Sequence, residues 1–414
     1  MPYVILDPVG PYPRHLLSFL SGGLGKAAIA VFTGEGRFAL WRDKWSRELG
    51  EYVVAAHVAP RWKSVASLAR AIRSEHPTID GVVPWDEETV LLGARLGEAL
   101  GLAWNPLRVM RRCRDKGLMK SWLRRAGTVR VNAAAVVTGR EGALAFARRV
   151  GRWPIVVKPT EGSGSEHVSF PTDEESLLAD CQGVRGSGSG AVLLEEFIGG
   201  EEYVVNGIVD AHGDLLVTDV WHYDRRDSEA APNLFYETRR VATSEPVFCR
   251  AGEYAARVIE ALGLVRCPIH MEVKVDDRGP CLIEVGARFS GGNLPVLASK
   301  LHGRSLLELG ACQYVSDVPV RPDDVDFARY DRIEARVLHG VQVHELRAIR
   351  AVHGIETVRS LPSFDAFARL RGVGQRAPVT RDYDTAAWEL SLIGDDPGRI
   401  AADAEIVHRV LRYE

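Results

Sequence analysis

Between His270 and Gly292 the chain reads HMEVKVDDRGPCLIEVGARFSGG, which places two glutamates where they should face each other. Val273 and Val275 lead into Asp276-Asp277-Arg278-Gly279-Pro280, and Cys281-Leu282-Ile283 leads out. Asp and Gly tolerate positive φ, so this stretch predicts a tight hairpin turn. With the turn centred near Arg278, Glu272 and Glu284 become cross-strand partners. Directly opposed side chains have Cβ atoms roughly 4.5–5.5 Å apart, where like charges repel. A cation held between the carboxylates would remove the repulsion. Arg288 follows four residues after Glu284, and Ser290-Gly291-Gly292 comes next.

Other segments add candidate groups. Residues 154–159 (PIVVKP) form an apolar strand ending on Lys158, and the loop TEGSGS follows at once. Glycines let backbone N–H groups approach phosphate oxygens, and an ammonium adds a point charge, so this pairing suits a polyphosphate. An edge-strand lysine before a mobile loop is the plain alternative. Lys116 and Lys120 lie on one predicted helix, where solvated lysines are common. Residues 193–203 (LLEEFIGGEEY) end a strand on acidic residues before Phe197-Ile198. Such a hinge could meet a flat heterocycle, and a carboxylate such as Glu202 could accept from two ribose hydroxyls; a charged turn is the alternative. Trp221, Tyr223 and Arg225 in WHYDRR, with NLFYE after them, combine aromatics with both charge signs. That suits an amino acid or short peptide, although an ordinary amphipathic loop would read the same. His270 shares a strand face with Glu272 by the two-residue period.

Size and composition narrow the field. At 414 residues the chain should hold two to three lobes. A net charge of -3 gives no electrostatic reason to expect nucleic acid or an anionic membrane as partner. Six dispersed cysteines without a C-x-x-C pair argue against zinc and redox motifs. With no basic leader and no apolar run near ~18 residues, the expected location is cytoplasmic. Residues 22–26 (GGLGK) fail as a phosphate loop, because the spacing is wrong and Ala27 stands where Ser or Thr must bind magnesium. They read as a loop between a helix and a strand.

Elements to position these residues follow from periodicity. Strands are expected over 3–6, 27–32, 52–57 and 81–84, and helices over 16–20, 64–75 and 87–100, giving a parallel α/β unit. A second unit carries helices over 115–126, 140–150 and 173–181, and strands over 132–137, 154–158, 167–170 and 191–198. Residues 183–190 read as a flexible Gly/Ser connector. Strands over 203–209 and 215–220 lead to the hairpin, and a final lobe of strands and helices ends in a helix over 395–409.

The order Lys116, Lys158 with its loop, residues 195–202, then Glu272, Glu284 and Arg288 resembles the ATP-grasp superfamily. RDKGLMKSWLRRAG is similar to its D-K-x-x-x-K helix, and VVPWDEETVLLGARLGEALGLAWNP to the end of its N-terminal lobe. The resemblance implies an α/β fold, α+β in the ATP-grasp subdomains, with a parallel α/β lobe (1–112), a small subdomain with a lid (113–198), a large subdomain with the metal site (199–312) and an α+β lobe (313–414). It implies that Lys116 and Lys158 contact ATP phosphates beneath a lid of Glu161, Gly162, Ser163, Gly164 and Ser165. Glu195 would meet the adenine amino group, Glu196, Phe197 and Ile198 the hinge, and Glu202 the ribose. Glu272 and Glu284 would hold two Mg2+ ions, for which Mn2+ could substitute. His270 stands where D-alanine–D-alanine ligases carry a phosphate-directing arginine, although a structural histidine fits equally. Many members read E-x-N where this chain has Glu284-Val285-Gly286, so a bidentate Glu284 or waters must complete the second ion.

EVGAR followed by GG is similar to bacilysin-type L-amino acid ligases and related natural-product amide ligases, in which the residue at Arg288 approaches the reacting carboxyl. The implied activity is ADP-forming amide synthesis through an acyl phosphate, with amino acids or short peptides as substrates, in antibiotic biosynthesis. Lys158, Arg288 and His270 would be catalytic. Trp221, Tyr223, Arg225, Arg288, Ser290, Gly291 and Gly292 would line the substrate site, in a homodimer. A bicarbonate-using carboxylase and a non-catalytic ATP-binding regulator are the competing readings. No G-x-G-x-x-G follows a strand, which argues against a Rossmann dehydrogenase.

Overall fold

Short apolar runs at the N-terminus close into a parallel sheet in the order Val53–Val58, Ala28–Phe32, Tyr3–Leu6, Val82–Val83. The two central strands are buried along their whole length, as a parallel sheet covered on both faces requires. The computed structural model describes residues 1–162, 164–187 and 191–414. The first helix starts at Pro11, earlier than the expected residue 16, because proline at the first helical position presets φ. It continues as a widened turn over Ser18–Gly23, so the GGLGK segment does join a helical turn to a strand. Helices Glu35–Lys44 and Leu107–Arg114 are additions that the sequence reading lacked.

Gly81, just before the strand Val82–Val83, ties this unit to the helix Leu306–Val315. A Cβ there would stand 1.8 Å from the Tyr314 carbonyl oxygen. Gly81→Ala must push that helix away, and urea unfolding should show a loss of about 2–3 kcal/mol.

A three-stranded antiparallel sheet follows, in the order Ala134–Val137, Val192–Glu196, Ile155–Pro159. Phe146 and Leu177 pack on it from helices Arg140–Val150 and Glu174–Gly186. The second of these helices runs through Gly183–Gly186, where a flexible connector was expected, and residues 188–190 lie outside the described part. Residues 167–170 make no strand; they contribute one bridge, Ser169 to Val157.

The largest sheet has eight strands: Gly279–Gly286, Cys267–Asp276, Glu201–Val209, Leu215–Arg226, Leu234–Arg240, Glu334–His339, Trp388–Gly394 and Phe364–Leu370. Strands from the C-terminal region thus extend the sheet that carries the hairpin. The helix Pro246–Leu262 buries Tyr254, Ala255 and Val258 in the main core, and the Leu282 backbone N–H donates to Tyr254 Oη at 2.8 Å.

In the hairpin, Asp276 pairs with Gly279, so the turn residues are Asp277 and Arg278. Continued regularly, that register would set Glu272 opposite Ile283. A bulge at Ile283 shifts the pairing, and Glu272 faces Glu284 after all. Arg130 clamps the turn through two bonds to the Asp276 carboxylate at 2.6 and 2.7 Å.

Candidate active site

Two cavities meet between the three-stranded and eight-stranded sheets. The first is lined by Lys116, Lys158, residues 195–198, Glu202 and Arg225; the second by Tyr223, His270, Arg288, residues 290–292 and groups from both ends of the chain. Glu272 and Glu284 line both, at the junction. The second cavity encloses 330 Å³, within the roughly 300–1,000 Å³ of small-molecule sites.

Lysines and carboxylates alternate through the first cavity. Lys116 Nζ lies 2.8 Å from Glu284 Oε2 and donates to the Gly162 carbonyl at 2.8 Å, linking the junction to the loop above. Lys158 Nζ lies 3.1 Å from Glu195 Oε1, and the fully buried Lys120 is 3.7 Å from Oε2. Burial alone would raise the Glu195 and Glu284 carboxyls, but the lysines, and for Glu284 also Arg288, outweigh it and hold both below the ordinary carboxylate range. The Glu195 carboxylate, which lines the first cavity, is turned onto lysines and Asn132 Nδ2 (3.2 Å). The Glu196 carboxylate is also engaged, accepting from the Ala133 N–H at 3.0 Å and from Arg152. Phe197 and Ile198 line the cavity beside them. Arg225 donates twice to Glu202 Oε1, at 2.9 and 2.6 Å, and stacks 3.8 Å from the Phe235 ring centroid. It thus belongs to the first cavity, not to the expected substrate side.

The loop over this cavity is held down from the far end of the chain. The Tyr383 N–H donates to the Gly164 carbonyl at 3.1 Å, and Arg225 Nη1 donates to Ser165 Oγ at 3.3 Å. Glu161 is exposed and lines neither cavity, contrary to expectation, and Ser163 lies outside the described residues.

In the second cavity His270 Nδ1 is 2.9 Å from Asn206 Oδ1, while Asn206 Nδ2 donates to Asp219 Oδ1 at 2.6 Å. Asp219 orients the amide, so Nδ1 donates to Asn206, and Nε2 lies 3.7 Å from Glu272 Oε1. Arg288 Nε donates to Glu87 Oε2 at 2.6 Å and Nη1 to the Phe289 carbonyl at 2.8 Å. A Cβ on Gly286 would stand 3.2 Å from Glu87 Oε2 and 3.3 Å from Arg288 Cζ. The space an asparagine would need there is occupied by this ion pair. Trp221, expected at the substrate site, is wholly buried, and its indole N–H donates to Asp219 Oδ1 at 2.5 Å. It shares a strand face with Tyr223 and Arg225, but lies where the sheet is covered by helices.

Sequence reasoning missed Glu87, Asp86 and Trp85, which line the second cavity just beyond the strand Val82–Val83. Their signal was available: ligands bind past the carboxyl ends of parallel strands. It also missed Tyr12, Tyr383, and the cross-strand neighbours His339 and Glu389, which strand order brings to the cavity together.

Burial, then Arg369 and Arg225, depress the His339 imidazole to about 3. The unfolded chain therefore takes up a proton near the ordinary value of 6.5 that the folded chain refuses, and stability falls as pH drops below that value. By about pH 5 the loss should be about 2 kcal/mol. Urea unfolding at neutral and mildly acidic pH should show it, with a smaller loss in His339→Phe.

Among the described residues no group of three or more His, Cys, Asp or Glu is placed to hold a metal, and two carboxylates are too few to cage one by themselves. They fit a hard dication that keeps water and phosphate oxygens as its other ligands, as Mg2+ does.

The profile of the ATP-grasp domain matches residues 151–295. Dapdiamide A synthase from Enterobacter agglomerans is 30% identical over 236 residues, 55% of this chain and 55% of that protein. The chain thus spans about half the length of that relative. Alanine–anticapsin ligase from Bacillus subtilis (strain 168) is 26% identical over 319 residues, covering 72% of this chain and 67% of that enzyme. The solved L-amino acid ligase from Bacillus licheniformis superposes with a TM-score of 0.77 at 17% identity, covering 100% of this chain and 98% of that one. Residues 151–295 are an ATP-grasp domain, and the chain as a whole has the ATP-grasp fold.

Proposed function

We propose that this protein is an ATP-dependent carboxylate–amine ligase that joins amino acids or short peptides through an acyl phosphate. The observation that carries the reading is the junction: two cavities share Glu272 and Glu284. ATP would occupy the first, with its phosphates toward Lys116 and Lys158, the hinge 196–198 along its base, and Glu202 with Arg225 on the ribose side. A carboxyl donor would occupy the second, beside Arg288, Tyr223 and residues 290–292. Mg2+ on Glu272 and Glu284 would neutralise phosphate charge, and Mn2+ would serve in its place.

A donor carboxylate oxygen attacks the γ-phosphorus and ADP leaves; the amine nitrogen then attacks the acyl carbon and phosphate leaves. Phosphoryl transfer needs charge neutralisation more than covalent help, and Lys116, Lys158 and Arg288 are preorganised to give it. His270 Nε2, 3.7 Å from Glu272 Oε1, would accept the amine proton. Gly164 and Ser165, held by Tyr383 and Arg225, would keep water from the acyl phosphate. The four-part division at 112, 198 and 312, a homodimer and a cytoplasmic location complete the reading; no helix among the described residues is long and apolar enough to cross a membrane.

Phosphate and ADP release should require ATP, Mg2+ and two amino-acid substrates, and product mass should equal their sum less one water. AMP as the nucleotide product would sink the acyl-phosphate route. Bicarbonate-stimulated ADP release without an amine would favour a carboxylase.

A further inference from the structure

His339 ends the strand Glu334–His339 and forms part of the wall of the second cavity with Val337, Thr238 and Tyr383. It is 3% exposed, and its ring packs against Phe235 and Tyr383 with centroids 5.4 and 5.9 Å away. Neither Nδ1 nor Nε2 has a hydrogen-bond partner among the described residues. A buried polar group left unpaired costs free energy, and a phenylalanine would suit this aromatic setting without that cost. The open side of the ring's surroundings is the cavity, so the missing partner should arrive with a ligand.

We propose that His339 is a specificity-determining residue, which binds a substrate side chain bearing an uncharged hydroxyl or carboxamide. The placement of that substrate rests on the ligase reading above. A neutral imidazole offers one N–H and one lone pair, and a group that both donates and accepts can serve whichever nitrogen it meets. Charged groups fit less well. An ammonium would approach Arg369 and Arg225, the cations nearest the ring. A carboxylate would share the wall with Glu389 and Asp384. The surrounding Phe235, Val337 and Leu294 exclude water, which sharpens discrimination against a partner that leaves the imidazole unpaired.

The test uses matched amino acids as carboxyl donors: threonine with valine, asparagine with leucine, and tyrosine with phenylalanine. Each is read both by ADP release and by the ligand-induced shift in unfolding temperature, which needs no turnover. The wild-type protein should prefer the polar member of at least one pair by about tenfold. His339→Phe should abolish that ratio, His339→Gln should retain part of it, and free His339→Phe should unfold no lower than wild type at neutral pH. An unchanged ratio in His339→Phe, no polar preference in wild type, or a lowered unfolding temperature would each overturn the proposal. Polar-selective thermal shifts without ADP release from any pair would leave the subsite standing and remove the ligase reading. Turnover without polar selectivity would do the reverse.

Discussion

Glu284→Gln should lower substrate-dependent ADP release at least about a hundredfold, with little change in side-chain shape. The carboxylate stands at the junction of the two cavities, 2.8 Å from Lys116, and Lys158 and Arg288 also act on it. An amide keeps the volume but removes the charge that these cations share and one of the two opposed carboxylates proposed to hold Mg2+. The Mg2+ concentration for half-maximal rate should therefore rise with the loss in turnover. Lys116 would be left partly buried without its counter-ion, which can itself cost about 3 kcal/mol. Urea unfolding of the variant separates that effect from the catalytic one. Near-normal turnover in a folded variant would mean that the assignment of Glu284 is wrong.

Arg288→Lys should reduce kcat/KM for the carboxyl donor about a hundredfold while leaving the KM for ATP within a few-fold. The guanidinium spends Nε on Glu87 and Nη1 on the Phe289 carbonyl, and its remaining N–H groups are left for a ligand. A lysine ammonium cannot hold both anchors and still present a planar donor pair. Glu87 acts through Arg288, so it is a positioning residue. Glu87→Gln should cost about tenfold in kcat/KM, and combining it with Arg288→Lys should add little. Multiplicative losses in the double variant would show that Glu87 touches substrate in its own right.

The hairpin shows how far residue types and spacing reach. Alternating apolar residues and an Asp/Gly turn predict the pairing of Glu272 with Glu284, and the structure has it, although by a different register. The turn itself falls one step earlier than expected, on Asp277-Arg278, and a bulge at Ile283 restores the pairing. Bulges depend on how a strand is bent by its neighbours, and nothing in CLIEVG announces one. Trp221 failed for a related reason. The two-residue period correctly put it on one face with Tyr223 and Arg225, but period cannot say where along a strand the covering helices stop. The ion pairs of Glu195 with Lys120 and Lys158 were not legible either, because those lysines come from a separate helix and a separate strand.

Gly286 marks the boundary between the two kinds of knowledge. From sequence it was a missing metal ligand; in the structure its empty side-chain space holds Glu87 and Arg288, residues 201 positions apart in the chain. Local pattern determined most of the strands, the lysine-bearing strand end, the hairpin that carries both glutamates and, through their order, the ATP-grasp fold. Each depends on periodicity, turn chemistry or spacing along the chain. Beyond Tyr223, His270, Arg288 and residues 290–292, the second cavity was decided by tertiary structure. Its walls also include Tyr12 and Glu87 from the N-terminal unit, and His339 and Tyr383 from the C-terminal region, whose strands join the sheet that carries the hairpin. Contacts of that range follow from how sheets and helices bury one another, which no single stretch of sequence encodes.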